Sequence, residues 1–173
     1  MNHDSYCDDT IREILATVKT IAMVGASANP ARPSYIVLKY LSERGFTMLP
    51  INPGLAGQTI LGLPVYARLA DVAQPIDMVD VFRRSDAAGE VVDAALALAP
   101  PPKAIWMQLG VRDDAAAARA EARGVKVVMN RCPKIEYGRL SGEIRWSGVN
   151  SRVVSAKKLI AGPGFQRLSI DRR

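Results

Sequence analysis

An α/β fold, in which helices cover both faces of a parallel sheet, is what this sequence predicts, and three observations predict it. Five short apolar runs recur along the chain, at 21–24, 46–51, 76–82, 104–109 and 125–129. Stretches long enough to be helices separate most of them, the pattern of strands joined by crossovers. Strand-breaking residues follow four of the five: Gly25, Asn52-Pro53, Gly110 and Asn130. Strands joined this way run parallel with right-handed connections. Ligands of such sheets bind beyond the strand C-terminal ends, near the point where strand order reverses. The candidate site therefore falls at 25–27, 52–53, 82–84, 109–110 and 130–132 before any residue is weighed singly.

The elements follow in order. Ile11, Ile14, Leu15 and Val18 share one face of a helix predicted at 10–19. The first strand, 21–24, runs into Gly25-Ala26-Ser27, and Pro30 and Pro33 close the turn, because a fixed φ suits a loop or a first helical position. A helix follows with Ile36, Val37, Tyr40 and Leu41 on its apolar face, and Gly45 stops it. The second strand, 46–51, ends at Asn52-Pro53-Gly54, and a loop covers 55–63. One helical turn is expected at 69–72. The third strand, 76–82, leads to Arg83-Arg84, and Ser85 is the expected N-cap of a helix at 86–99. Pro100-Pro101-Pro102 forbids its continuation. The fourth strand, 104–109, ends at Gly110; a helix at 113–123 is capped by Gly124; the fifth strand, 125–129, leads into Asn130-Arg131-Cys132-Pro133.

Length and composition bound the function. The 173 residues suit one domain. No apolar run approaches the ~18 residues of a membrane-spanning helix, and the polar, acidic N-terminus is unlike a signal peptide. A soluble, cytoplasmic protein is expected, with Cys7 and Cys132 as reduced thiols. The net charge of +6 is unevenly placed. Residues 1–137 balance 15 basic against 15 acidic side chains, whereas 138–173 hold eight against two. The division is a domain at 1–137 and a basic C-terminal extension at 138–173. Ile144, Trp146, Val153, Leu159 and Phe165 make that extension too apolar for a free linker, so it is expected to pack on the domain or a second subunit. Nucleic-acid binding is not expected from charge of this kind.

The turn at 25–30 carries the site chemistry. Amides between a strand and a helix N-terminus favour a phosphate through hydrogen bonding and the helix dipole. The dinucleotide fingerprint asks for Gly-x-Gly-x-x-Gly; Gly25, Ser27 and Pro30 hold those positions, so only the first fits. Gly25 either admits a phosphate or serves the turn alone. Ser27 and Ser34 offer hydroxyls to phosphate oxygens, Ser34 equally as a helix cap. Asn52 stands where an NAD enzyme carries Asp or Glu, which argues against that cofactor. Arg83 or Arg84 either reaches a phosphate or pairs with Asp80 or Asp86. Phe82 either stacks on a base or packs in the core. Cys132 is expected to be packed, Asp113-Asp114 to start a helix, and His3 to lie in a disordered terminus. No Ser/His/Asp set or catalytic carboxylate pair appears.

Several motifs in order carry a resemblance. They are Val24-Gly25-Ala26-Ser27-x-x-Pro30, Pro50-Ile51-Asn52-Pro53, Leu61-Gly62-Leu63-Pro64-Val65-Tyr66, Val79-Asp80-Val81-Phe82-Arg83-Arg84 and Arg131-Cys132-Pro133-Lys134-Ile135-Glu136. Together they resemble the small stand-alone CoA-binding proteins, similar in turn to the N-terminal domain of the succinyl-CoA synthetase alpha subunit. The resemblance spans residues 10–137. It implies a Rossmann-like fold of five main parallel strands in the order 3-2-1-4-5, with coenzyme A or an acyl-CoA at the strand ends. The binding set it implies is Gly25, Ala26, Ser27, Ala28, Pro30, Ser34, Asn52, Pro53, Phe82, Arg83, Arg84, Leu109 and Gly110. The diphosphate is expected over the amides of Ala26 to Ala28, the adenine toward Asn52 and Phe82, and the pantetheine arm past Leu109 and Gly110. No catalytic or metal-binding residue is expected. The function implied is non-catalytic CoA binding, as a carrier, a sensor or an accessory to a partner enzyme. Alternatives are an NAD(P)-linked oxidoreductase, one part of a split CoA ligase, or an interaction module with an empty pocket. Two departures stand out. Relatives often carry Lys after the Asn-Pro step, where this chain has Gly54, leaving Arg32, Lys39 or a tail residue to grip a phosphate. The synthetase's phosphorylated-histidine domain has no counterpart, so its ligase chemistry is not carried over.

Overall fold

The computed structural model describes residues 2–141. The expected extension at 138–173 lies outside the described residues except for 138–141. In chain order the elements are α1 (Asp8–Thr17), β1 (Thr20–Val24), α2 (Pro33–Glu43), β2 (Thr47–Ile51), β3 (Thr59–Ile60), β4 (Leu63–Pro64), β5 (Met78–Val81), α3 (Ser85–Leu96), β6 (Ala104–Met107), α4 (Asp114–Glu121), β7 (Lys126–Val128) and α5 (Pro133–Ser141). Single 3-10 turns at Pro53–Leu55 and Leu69–Asp71 complete them.

Five parallel strands form one sheet in the order β2-β1-β5-β6-β7, and β3 pairs with β4 as a separate antiparallel hairpin. The Rossmann-like α/β class holds. The strand order is corrected: counting the main strands along the chain, it is 2-1-3-4-5, not 3-2-1-4-5. The third main strand, β5, lies beside β1, with Ile21 opposite Met78 and Val24 opposite Val81. The outer side of β2, where it was expected, is held instead by one residue. Tyr66 forms a parallel bridge to Ile51: Asn52 N–H donates to Tyr66 O and Tyr66 N–H to Pro50 O, both at 2.9 Å. The Pro50 carbonyl therefore points away from β1, and its missing N–H costs no bond in the ladder.

Burial explains the layers. Ala22, Val79, Val81, Ile105, Met107 and Val127 line one face and pack against Ala88, Val92, Ala95, Ala116, Ala117 and Ala120 of α3 and α4. The alanine-rich faces let these two helices lie close to the sheet. Ile21, Met23, Met78, Trp106 and Val128 line the other face, against Ile11 and Ile14 of α1 and Val37, Leu38 and Leu41 of α2. Burying each larger side chain contributes about 1.5–3 kcal/mol. Trp106 is fully buried with its Nε1–H donating to Arg131 O at 2.8 Å, so its polar atom is satisfied.

Three local expectations change. Helix α3 begins at Ser85 and ends at Leu96, and its N-cap position is Arg84, with no side-chain cap bond. The Ser85 hydroxyl instead donates to Gly110 O at 3.3 Å and accepts from Arg112 N–H at 3.0 Å, tying α3 to the loop after β6. A longer reach, not capping, is what this serine supplies. Ser34 is likewise no cap: it is buried inside the first turn of α2, whose N-cap is Arg32 and whose N1 is Pro33. The N-terminus expected to be disordered is pinned. Tyr6 Oη accepts from Met129 N–H at 2.7 Å and lies 2.9 Å from His3 Nδ1, while His3 Nε2 lies 3.4 Å from Glu121. Asp113 does start α4, accepting from Ala116 N–H at 2.9 Å as its N-cap.

Candidate functional site

The strand order reverses between β1 and β5, and the crevice above that point is where open α/β sheets bind ligands. Gly25 ends β1 there with φ +94°. A Cβ on Gly25 would collide with Phe82 O, so the neighbouring strand, not a phosphate, is what first demands glycine. The amides of Gly25 and Ala26 both donate to Ile51 O, at 3.0 and 3.3 Å. The expectation of three free amides at 26–28 is thus corrected to two: Ser27 and Ala28 donate to no acceptor among the described residues. Ser27 Oγ accepts from Asn29 N–H at 3.1 Å and Asn29 Oδ1 from Ala31 N–H at 2.9 Å, which fixes the curl of the loop. Ala28 and Pro30 are exposed on it, and α2 starts three residues further on with Pro33.

Asn52 braces the turn from β2. Its Nδ2 donates to Ala26 O at 2.7 Å and its Oδ1 accepts from Gly54 N–H at 2.9 Å. Both ends of the amide are engaged, and exposed Pro53 continues the brace in its 3-10 turn. On the β5 side Phe82 donates its N–H to Val24 O at 2.8 Å, and its ring packs on the α1–α2–α5 core. That is the packing alternative for Phe82. Arg84 pairs with Asp86 at 2.7 Å. Exposed Arg83 has no carboxylate partner among the described residues, and neither has exposed Arg32 at the start of α2. Lys39 lies 3.9 Å from Glu43. Arg32 and Arg83, on the segments that follow β1 and β5, thus have no ion pair among the described residues.

Asp80 pairs with neither arginine. It is fully buried in β5 and accepts from Gln108 Nε2 at 2.8 Å, while its Oδ2 has no partner. Burial pushes its carboxyl up to about 7, the Gln108 bond opposing only part of the rise. An acidic residue inside an apolar run was visible in the sequence; its isolation was not. Cys132 is buried and unpaired, its thiol raised by burial, which makes it a poor nucleophile.

At the end of β6, Leu109 is 58% exposed and Gly110 adopts φ +77°. Gly110 N–H donates to Asn130 Oδ1 at 2.8 Å, and Asn130 itself is held at φ +52°. Beyond it a polar cavity of about 290 Å³ is lined by His3, Asp4, Arg112, Met129, Asn130 and Arg131. The sequence flagged Asn130 and Arg131 only as a strand end. A strand-terminal Asn, the non-glycine residue that best tolerates a left-handed backbone, was the available signal. Among the described residues no group of three metal-binding side chains forms, and no helix is long and apolar enough to cross a membrane.

Relatives share this architecture. The Bacillus subtilis (strain 168) protein YneT is 34% identical over 127 residues, covering 73% of this chain and 91% of its own. A hypothetical protein from Pyrococcus horikoshii OT3 superposes with a TM-score of 0.74 at 37% identity, over 80% of this chain and 95% of that one. The structure of cell-free ID.343 from Thermus thermophilus gives 0.73 at 36%, over 78% and 99%. The CoA binding domain family matches residues 19–138, from the start of the sheet into α5, and this chain belongs to that family.

Proposed function

We propose that this protein binds coenzyme A or an acyl-CoA without transforming it, acting as a carrier, a sensor or an accessory to a partner enzyme. The observation that carries the proposal is that the amides of Ser27 and Ala28 and the guanidiniums of Arg32 and Arg83, residues that meet near the reversal of strand order, have no partner among the described residues. Amides and cations so placed suit a diphosphate through charge-assisted hydrogen bonds. The two arginines supply the charge that Gly54 does not. Membership of the CoA binding domain family supports the nucleotide's identity. The adenosine goes on the Asn52–Pro53 side and the pantetheine arm over Leu109 and Gly110. An NAD arrangement is less well served, because Asn52 offers no carboxylate and its amide is already engaged at both ends. Burial raises the Cys132 thiol at the strand ends, which disfavours thiolate attack on a bound thioester.

Thermal denaturation with CoA, NAD and NADP tests this directly. At 100 times Kd a ligand of the folded state adds about 2.7 kcal/mol, worth about 2–4 °C per kcal/mol in a protein of this size. A rise with CoA alone is expected. A rise with NAD or NADP alone points to the oxidoreductase, and no rise with any of the three to a site that holds no nucleotide.

A further inference from the structure

We propose that the cavity at the end of β7 receives the acyl group of a bound acyl-CoA, and that the acyl group it prefers ends in a carboxylate. This rests on the CoA-binding reading and extends it to the thioester end.

Position is the first argument. The cavity lies at β7, three strands from the turn after β1. At ~4.8 Å per strand that is about 14 Å. A pantetheine arm has about as many chain atoms as four extended residues, which reach about 14 Å. An arm that starts at Ser27 and crosses Gly110 therefore delivers its sulfur to the cavity mouth. Gly110 and the cavity are joined directly, since Asn130 lines the cavity and accepts from the Gly110 amide at 2.8 Å. Asn130 does this from a left-handed backbone, which asparagine tolerates better than other non-glycine residues.

Charge is the second argument. Two of the six lining residues are arginines, and they differ. Arg112 is committed, with Nε and Nη2 on Asp114 at 2.8–3.1 Å. Arg131 has no carboxylate among the described residues; its guanidinium lies 5.9 Å from the centre of the Tyr6 ring. A half-buried cation beside a polar cavity lacks the partner that a terminal carboxylate would be.

Occupancy is the third. A carboxylate already sits at the cavity: Asp4 accepts from Arg112 Nη1 at 2.6 Å, with its own side chain 79% exposed. The cavity wall thus accommodates a carboxylate on Arg112, while Arg131 is left without one among the described residues.

The experiment is calorimetric titration of the full chain with CoA, acetyl-CoA and succinyl-CoA. Succinyl-CoA is expected to bind at least about tenfold more tightly than acetyl-CoA, the scale of one hydrogen bond to a charged group. Arg131→Gln is expected to abolish the difference while leaving the affinity for CoA within about twofold. Asp4→Asn, which removes a negative charge from the cavity wall, is expected to tighten succinyl-CoA alone. Equal binding of the two thioesters by the parent protein overturns this proposal and leaves CoA binding standing. A preference that survives Arg131→Gln overturns it as well. Failure of CoA itself to bind overturns the CoA-binding reading and this one with it.

Discussion

Asp80 has no exposed surface, one hydrogen bond and one unpartnered oxygen, and that makes it a source of pH dependence. Its carboxyl is raised to about 7 by burial, whereas an unfolded chain titrates an Asp near 4. Between these values the folded state keeps a proton that the unfolded state releases. The contribution is therefore complete below pH 4 and is lost as pH rises toward 7, by up to about 4 kcal/mol. Asp77 acts in the opposite sense at acid pH. Burial raises it, but bonds from Lys103 and from the amides of Thr20 and Lys19 outweigh that and lower it, so its contribution fades as pH falls. Urea midpoints of Asp80→Asn and the parent, followed from pH 4 to 7, are expected to diverge, the variant losing the downward slope. Parallel curves would show that Asp80 is ionised when folded. Gly25 makes a sharper prediction. Alanine there meets both a left-handed φ and the Phe82 carbonyl, so Gly25→Ala is expected to lose at least about 2 kcal/mol in urea unfolding. A loss below about 0.5 kcal/mol, the scale of a neutral surface change, would mean that the β1–β5 spacing at the turn is looser than described. The sequence showed that glycine was needed at 25; it could not show that a strand 57 residues away was the reason.

Elements were legible where the cause is local and obscure where it is not. The apolar runs marked all five main strands, and Pro33 and Asp113 marked two helix starts, because periodicity, fixed φ and capping act within a few residues. Strand order failed because pairing is decided across the chain. The residue that fills the outer side of β2 is a single Tyr66, with no run of its own to announce it. Ser85 misled for the same reason, its partners lying 25 and 27 residues away. Asn52 belongs at this scale too. It links the end of β2 to Ala26 in the turn after β1, to Gly54 in its own loop and, by its backbone, to Tyr66. Asn52→Ala removes two hydrogen bonds and is expected to cost about 1–3 kcal/mol and to weaken CoA binding several-fold by loosening the turn. Asn52→Asp is expected to do no better, since it keeps the acceptor for Gly54 but sets a carboxylate oxygen against Ala26 O. CoA titration of the two variants separates this bracing role from a direct ligand contact: unchanged affinity in both would remove Asn52 from the site altogether.

The described residues close on themselves at the two ends. Helix α1 near the start packs against α5 at the end of the described chain, and Arg139 joins them, with Nη2 at 2.8 Å from Asp8 and 2.6 Å from Glu136. Both carboxylates keep the guanidinium above its usual range, Asp8 contributing most. This bridge stands just beyond residue 137, where composition alone puts the edge of the neutral domain, because charge counting cannot see which arginine is a structural clasp. Two shortened chains distinguish clasp from tail. A chain ending at Ser141 keeps Arg139 and all of α5, and is expected to keep its fold and to bind CoA with about the parent's affinity. A chain ending at Tyr137 loses the clasp and the last turn of α5, and is expected to be less stable by about 1.5–3 kcal/mol, the worth of hydrogen bonds to a charged group, a drop of several degrees. Scanning calorimetry of the three chains, with and without CoA, reads both effects. If the chain ending at Ser141 loses CoA binding while keeping its fold, the missing basic group is supplied by residues 142–173 and not by Arg32 and Arg83, and the phosphate site assigned to those arginines is wrong.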